Sequence, residues 1–496
     1  MSEDTLQERP QIRRRLRALF QNRFLSDFGR QFSYSSSSVD RLLSLTIPIS
    51  RIDPLACVEV LGQPGEFQFY WEHPERDFGL AGGKSCLSIS AEGSSRFQQV
   101  EDRIQQVRNK SREISEIEHT QAGLHFLGGF SFNGHTTNNQ LWANFGSASF
   151  HVPEWLFVRD GNLGLLTLTL DISDHRLTAA DIDQQFESRV DQLQPLLDFQ
   201  QEHDGIVKKS EPCWDSSNKS LVDDTESEDT YEQWTKHVNH AKDLIREGAF
   251  EKIVLSRKIQ VENNGSISPT QAINRLRNLY TNCYCFFIEF PGSGSFIGCS
   301  PERLVQFNKR YILTDALAGS ISRGTSASRD MVFENRLLSS GKNRDEHEFV
   351  VKSITHRLKN LTTRIQHPSS PVVKKLSNVQ HLHTPILAWL KSDTRKSDVM
   401  RHLHPTPAVG GYPTEKALSY IPKLELFDRG WFAGPVGWFN TMGGGEFTVA
   451  IRSGLIQSDQ AHFFAGCGIV EDSDANEEWE ETKLKLIPML SSVENG

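Results

Sequence analysis

No apolar run in the sequence reaches the roughly 20 residues that a membrane-spanning helix requires, and a soluble protein is expected. Cysteine is scarce. The seven present, Cys57, Cys86, Cys213, Cys283, Cys285, Cys299 and Cys467, are odd in number and scattered along the chain. That pattern excludes a secreted disulfide framework and fits a reducing compartment. There is no excess of positive charge either: a net charge of -9 leaves no electrostatic footprint for nucleic acid. The phosphate loop Gly-x-x-x-x-Gly-Lys is missing, and no dinucleotide fingerprint follows a strand. His381-Leu382-His383 and His402-Leu403-His404 have strand spacing that raises the question of zinc, yet neither a Cys pair nor a His-Glu-x-x-His accompanies them. Zinc is set aside.

What is present is a globular composition, 496 residues with 37% hydrophobic and 24% charged, enough for a deep core. The basic stretch Arg13 to Phe20 and the serine-rich stretch Ser33 to Ser38 have the flavour of a transit peptide, but Glu3, Asp4, Glu8 and Asp27 break the usual acidic poverty. The segment reads as a surface helix and loop with a cytoplasmic address. From Ile47 to Leu170 short strands dominate, interrupted by a helix over 94–117, and 174–202 has helical period. Composition then shifts: Lys208 to Asp229 has almost nothing to bury. Three regions follow: an N-terminal half over 1–205, an acidic flexible linker over 206–232 and a second half over 233–496.

The second half repeats the first in outline. Cys285 to Cys299 matches the strand-turn-strand at Phe67 to Gly82, Ala433 to Trp438 echoes Leu127 to Phe132, and Phe447 to Arg452 echoes Glu154 to Arg159. The expected fold is α+β, with duplicated halves forming a two-sheet β-sandwich core flanked by helices.

Several polar residues interrupt these patterns. Asn476 to Glu481 opens an amphipathic helix whose apolar stripe is Trp479, Leu484, Ile487 and Leu490, and Glu478 and Glu481 share another face one turn apart. Paired carboxylates suit Mg²⁺, and they equally suit a solvated acidic helix start. Glu346 lies at the edge of the stripe formed by Phe349, Val350, Ile354 and Leu358, where an anion needs a compensating charge. Lys252 opens an apolar strand, Glu302 directly follows another, and both also suit strand ends with snorkelling heads. Arg452 ends a strand beside Ser453-Gly454, a place from which a guanidinium can grip a carboxylate through two hydrogen bonds. Ala318-Gly319-Ser320 and Gly466-Cys467-Gly468 would let an anion approach the main chain.

In order along the chain, Lys252-Ile253-Val254-Leu255-Ser256-Arg257, Ser300-Pro301-Glu302, Leu317-Ala318-Gly319-Ser320, Glu346-His347, Gln380-His381-Leu382, His404-Pro405-Thr406-Pro407-Ala408, Gly434-Pro435-Val436-Gly437-Trp438, Ala450-Ile451-Arg452 and Gly466-Cys467-Gly468-Ile469-Val470 resemble the chorismate-utilising enzymes. That family includes isochorismate, salicylate, anthranilate and aminodeoxychorismate synthases. The likeness is strong from Trp234 to Leu490 and looser at Phe69 to Pro74 and Gly128 to Phe132. Ala318 stands where the lysine-nucleophile type carries its lysine, so no amine transfer and no glutamine amidotransferase subunit are expected.

The resemblance implies Mg²⁺-dependent conversion of chorismate to isochorismate in quinone biosynthesis, with salicylate synthase and an anthranilate synthase-like component as alternatives. It implies Lys252 as the base that activates water and Glu302 as the acid that protonates the leaving hydroxyl. The base must then be uncharged near pH 7, a displacement of about three pH units costing about 4 kcal/mol. It implies Glu346 and Glu481 as Mg²⁺ ligands with Glu478 acting through water. Ser320, Arg452, Gly466 and Lys485 would bind the substrate carboxylates, and His381 and Ala408 would line the ring pocket. Three departures stand out: Asn343 in place of an acidic residue, Phe432 in place of a tyrosine, and Cys467 in place of an alanine.

Overall fold

Two hairpins of matching pattern, Gln68–His73 with Phe78–Ala91 and Tyr284–Glu289 with Ser295–Ser300, lie edge to edge, Tyr70 opposite Phe287. The computed structural model that contains them describes residues 4–26, 40–134, 140–196, 230–262, 266–376 and 379–493. A second ladder also joins the halves: His125–Phe130 pairs antiparallel with Pro435–Asn440, and Gly128 sits directly opposite Gly437. A Cβ at Gly128 would lie 1.9 Å from the Ser149 carbonyl oxygen, and a Cβ at Gly437 1.9 Å from that of Glu446. The same close approach recurs on both sides of the ladder, so the halves are related by an approximate two-fold passing between these glycines.

The register fixes the equivalence further. Gly128 faces Phe150 and Gly437 faces Phe447, so the counterpart of Phe447 is Phe150. The sequence match of Phe447 to Arg452 with Glu154 to Arg159 is therefore displaced by four residues. Its cause is that Ala148–Asp160 is one long strand: its start pairs with His125–Phe130 and its end with Leu163–Asp171. Pleat alternation alone does not reveal where such a strand changes partners.

That strand and Phe78–Ala91 beside it pass from one layer to the other. One layer continues through Leu163–Asp171 and Leu42–Ile49 on one side, and through both hairpins to Ser453–Gln457, Gln460–Ile469 and Lys252–Glu262 on the other. The other runs from His125–Phe130 through Pro435–Asn440, Gly445–Val449, Arg303–Phe307 and Tyr311–Ser322 to Val379–Leu390. Among the described residues twenty strands join in one hydrogen-bonded network. Trp71, Phe286 and Phe296 of the first layer share a buried cluster with Phe130, Phe150 and Phe447 of the second. Tyr284 donates a hydrogen bond across to Glu446 at 2.9 Å. On the outer face, Pro54–Leu61, Ala179–Gln192, Pro269–Leu279 and Ala475–Val493 cover a second cluster. The fold is the expected α+β sandwich flanked by helices.

Several element boundaries differ from the sequence reading. The helix expected over 94–117 is Arg96–Lys110; Ser111 turns extended, and Arg112–Ser115 becomes a strand whose Ile114 pairs with Leu45. Of the linker read at 206–232, residues 206–229 lie outside the described residues. Thr230 forms a capping box with Gln233, so Tyr231–Arg246 is already helix. The C-terminal helix buries Leu486, Met489, Leu490 and Val493, whereas Leu484 is 44% exposed. The N-terminal helix Asp4–Leu19 docks through Leu16, and Phe20 stacks on Phe186 at 4.6 Å. The serine-rich stretch and Cys213 lie outside the described residues. No described helix is long and apolar enough to cross a membrane.

Gly128→Ala and Gly437→Ala should each destabilise the protein by about 1–3 kcal/mol, because neither backbone can yield without opening a ladder. Gly341→Ala, whose added methyl meets nothing within 4 Å, is the control and should stay within about 0.5 kcal/mol. Urea unfolding midpoints measure the three.

Candidate active site

The strand Lys252–Glu262 points Lys252, Val254 and Ser256 to one side, as strand alternation requires, and all three line a cavity. Its neighbour Gln460–Ile469 sets Gly468 opposite Val254 and Gly466 opposite Ser256. A Cβ at Gly468 would lie 2.5 Å from Lys252 Cε, so the missing side chain leaves the groove along which the lysine extends. Its Nζ ends 2.9 Å from Glu346, which projects from the helix Gly341–Leu358. The two side chains form an ion pair within the cavity.

Glu302 enters from the other layer. Its carbonyl accepts from Val449 N at 3.1 Å and Thr448 Oγ1 at 2.6 Å, and its amide donates to Ser300 Oγ at 3.2 Å. The backbone is thereby locked and the side chain is 5% exposed. Burial pushes its carboxyl up to about 7; Asp315 adds to this, while the Thr406 hydroxyl, Lys374 and Lys485 oppose it. Thr406 Oγ1 donates to the carboxyl at 3.3 Å. Such a group holds its proton near neutrality.

Arg452 has φ 50° and is buried, with Nη1 lacking a hydrogen-bond partner among the described residues. A buried guanidinium N–H left unpaired calls for an anion. Ser320 and His381 face each other across a β-bulge at Gly319. Burial, then Arg452, Lys485 and Lys374, hold His381 well below the usual imidazole range, so it is neutral. Ala408 and Phe432 complete the wall, and Phe432 stacks on Phe464 at 5.2 Å. Lys485 binds the Gly466 carbonyl at 2.8 Å and Glu481 at 2.7 Å. Lys485 first, with Lys252 and Lys342, holds the Glu481 carboxyl below the usual range.

The structure thus brings Lys252, Glu302, Ser320, Glu346, His381, Ala408, Arg452, Gly466, Glu481 and Lys485 to one cavity. Glu478 stands apart. It accepts from Ser473 Oγ at 2.8 Å, and burial raises its carboxyl. Asn343 packs on Gly319 and donates to Ser340 Oγ, which caps its own helix.

No described group of three or more His, Cys, Asp or Glu side chains is gathered into a metal site. Mg²⁺ does not require one: it is held through one or two carboxylates, waters and the oxygens of a ligand. Glu346 and Glu481 offer two such carboxylates to the same cavity from two helices, each neutralised by a lysine. Their donor chemistry fits the cation.

Sequence reasoning missed the brace behind the cavity. Arg429 Nε donates to Glu425 at 2.8 Å, Nη1 to the Val409 carbonyl at 2.8 Å and Nη2 to that of Val254 at 2.9 Å. Glu425 accepts from Ser256 N at 2.8 Å. Both side chains are 1% exposed. The pair ties the Thr406 loop to the Lys252 strand, and the i,i+4 spacing of Glu425 and Arg429 was the available signal. Thr406, within the His404-Pro405-Thr406-Pro407-Ala408 motif, was overlooked as the partner of Glu302. Arg429→Leu leaves Glu425 buried and uncompensated, so it should cost about 3–5 kcal/mol in urea unfolding.

Comparison with known proteins agrees with this geometry. The family model described as chorismate binding enzyme matches residues 28–494. The isochorismate synthase MenF of Bacillus subtilis is 32% identical over 459 residues, 91% of this chain and 93% of that protein. The salicylate biosynthesis isochorismate synthase of Pseudomonas aeruginosa is 33% identical over 448 residues, 89% of this chain and 88% of its own. Among solved structures, the menaquinone-specific isochorismate synthase MenF of Escherichia coli has a TM-score of 0.72 at 23% identity, over 96% of this chain and 100% of that one. Anthranilate synthase component I of Streptococcus pneumoniae has 0.65 at 21%, over 84% and 92%. These two structural likenesses concern the fold alone.

Proposed function

The chain belongs to the family of chorismate binding enzymes, and on that premise we propose that it is an isochorismate synthase, an isomerase that converts chorismate to isochorismate. The observation that carries the reading is a buried acid, Glu302, holding its proton to about pH 7 in the same cavity as Lys252 and the unpartnered Arg452. Arg452, Ser320, Lys485 and the Gly466 backbone bind the two carboxylates of chorismate; neutral His381 and Ala408 bound its ring. Lys252, once released from Glu346 and deprotonated, takes a proton from the water that attacks C2. The double bond shifts, the C4 hydroxyl departs, and Glu302 delivers its proton to it, so one water enters and one leaves. The two groups work from opposite ring faces, an acid and a base set apart by environment.

Glu346 and Glu481 would hold Mg²⁺ in this reading, with Glu478 acting through water, and the cation would supply charge neutralisation to the carboxylate of the substrate. Ala318 at the lysine position of the amine-using relatives supports water as nucleophile. A place in menaquinone biosynthesis is the finer reading, motivated by the name MenF that the Bacillus subtilis relative shares with the menaquinone-specific enzyme of Escherichia coli. Six free cysteines among the described residues support the cytoplasmic address.

Purified protein should convert chorismate to isochorismate without releasing pyruvate, lose this with a chelator and regain it with Mg²⁺; salicylate and pyruvate as main products, read by chromatography, would sink the proposal. Lys252→Ala should fold normally and lose about 10²–10⁴-fold in kcat. Glu302 acts protonated, so kcat should fall as pH rises through about 7, and Glu302→Gln should abolish that limb along with most of the activity.

A further inference from the structure

Behind Glu302, on the side away from the cavity, lies a cluster of charges that the mechanism does not use. Lys374, on the strand Val372–Lys375, donates from Nζ to the Pro301 carbonyl at 2.7 Å, the peptide immediately before Glu302. Asp315 lies on Tyr311–Ser322, across Val379–Leu390 from Val372–Lys375; it is 8% exposed and held by His383 at 3.1 Å and Arg303 at 3.5 Å. Arg303 in turn reaches Tyr284 at 2.8 Å and Glu446 at 3.3 Å, and Arg76 reaches Glu446 at 2.6 Å. The charged groups that act most on Glu302 are Asp315, Lys374 and Lys485, alongside the Thr406 hydroxyl, and Arg452 lines the same cavity. Lys374 is the cation whose own hydrogen bond also fixes the acid's main chain.

We propose that Lys374 is a positioning residue for Glu302: it holds the Ser300-Pro301-Glu302 turn in place and, opposed by Asp315, sets how firmly the acid keeps its proton. This rests on the reading of Glu302 as the acid. The physical basis is charge balance in a site poor in water. An ammonium behind a carboxyl favours its ionised form, an anion beside it favours the protonated form, and at short range each is worth about a pH unit or more. Lys485 has Glu481 at 2.7 Å to neutralise it. Lys374 makes its contact with a neutral carbonyl, so its charge is offset chiefly by Asp315, the first cation–anion attraction acting on it, and its own ammonium is held below the usual lysine range by burial.

The test compares Lys374→Met, Lys374→Arg and Asp315→Asn in the full-length protein with Mg²⁺. Removing the cation should move the midpoint of the high-pH loss of kcat upward by about one pH unit, removing the anion should move it downward, and the arginine should keep it near the wild-type value. A purely structural role would lower kcat and leave every midpoint where it was. As a readout independent of turnover, the infrared band of the protonated Glu302 carboxyl, identified by its loss in Glu302→Gln, should titrate with the same displacements. Unmoved midpoints in Lys374→Met by both measurements overturn the inference while leaving the isochorismate synthase reading intact. A wild-type protein that makes no isochorismate overturns that reading, and the infrared titration then still decides what Lys374 does to Glu302. Should Lys374→Met fail to fold, the downward displacement expected of Asp315→Asn decides alone.

Discussion

Everything in the cavity answers to one electrostatic constraint: it holds more positive than negative charge. Of the cations that line it, Arg429 is paired with Glu425, and Lys252, Arg452 and Lys485 face two carboxylates, Glu346 and Glu481, while burial keeps the third, Glu302, protonated to about pH 7. Each carboxylate has taken a lysine, at 2.9 and 2.7 Å, and the guanidinium is left over. Unpaired buried charge is costly, so the site is built to accept an anion, and a dianion can enter only with a further cation. The ion pairs and the metal hypothesis are therefore one statement. In the proposed reading the oxygens that would meet Mg²⁺ are those that lysines now neutralise, and freeing Lys252 from Glu346 would turn a structural cation into a base.

The folded chain was legible in its sequence to an uneven degree. The hairpins at Phe67 to Gly82 and Cys285 to Cys299, the helix that carries Glu346 and the helix that carries Glu481 follow from local periodicity, and the structure has them. The ordered motifs placed eight site residues, and these meet Glu481 and Lys485 of the C-terminal helix in one cavity. What periodicity could not deliver is anything decided by partners distant in sequence. The change of layer within Ala148–Asp160, the strand Arg112–Ser115 appended to a helix, and the outward turn of Leu484 depend on which surface lies opposite. Thr406, Arg429 and Lys374 went unnoticed for the same reason: each matters through a contact more than 70 residues away, with Glu302, Val254 or Pro301.

Those long-range contacts tie the first half to the site, although none of its described residues lines the cavity. The loop that brings Thr406 to Glu302 is steadied from the N-terminal half: His404 Nε2 sits 3.1 Å from the Phe132 carbonyl, and the Arg429 guanidinium lies 4.3 Å over the Phe132 ring. The helix Lys396–Leu403 leading into that loop has no capping side chain of its own. Its free amides are met instead by Glu101, which accepts from Lys396 N at 3.1 Å and Ser397 N at 3.0 Å. A carboxylate at a helix N-terminus satisfies orphan donors and opposes the helix dipole favourably. The Gln68–His73 and His125–Phe130 ladders cover two strand edges of the second half, Tyr284–Glu289 and Pro435–Asn440. Without the first half those two edges would lie open, and the helix at the root of the loop that touches Glu302 would lose the carboxylate that caps it.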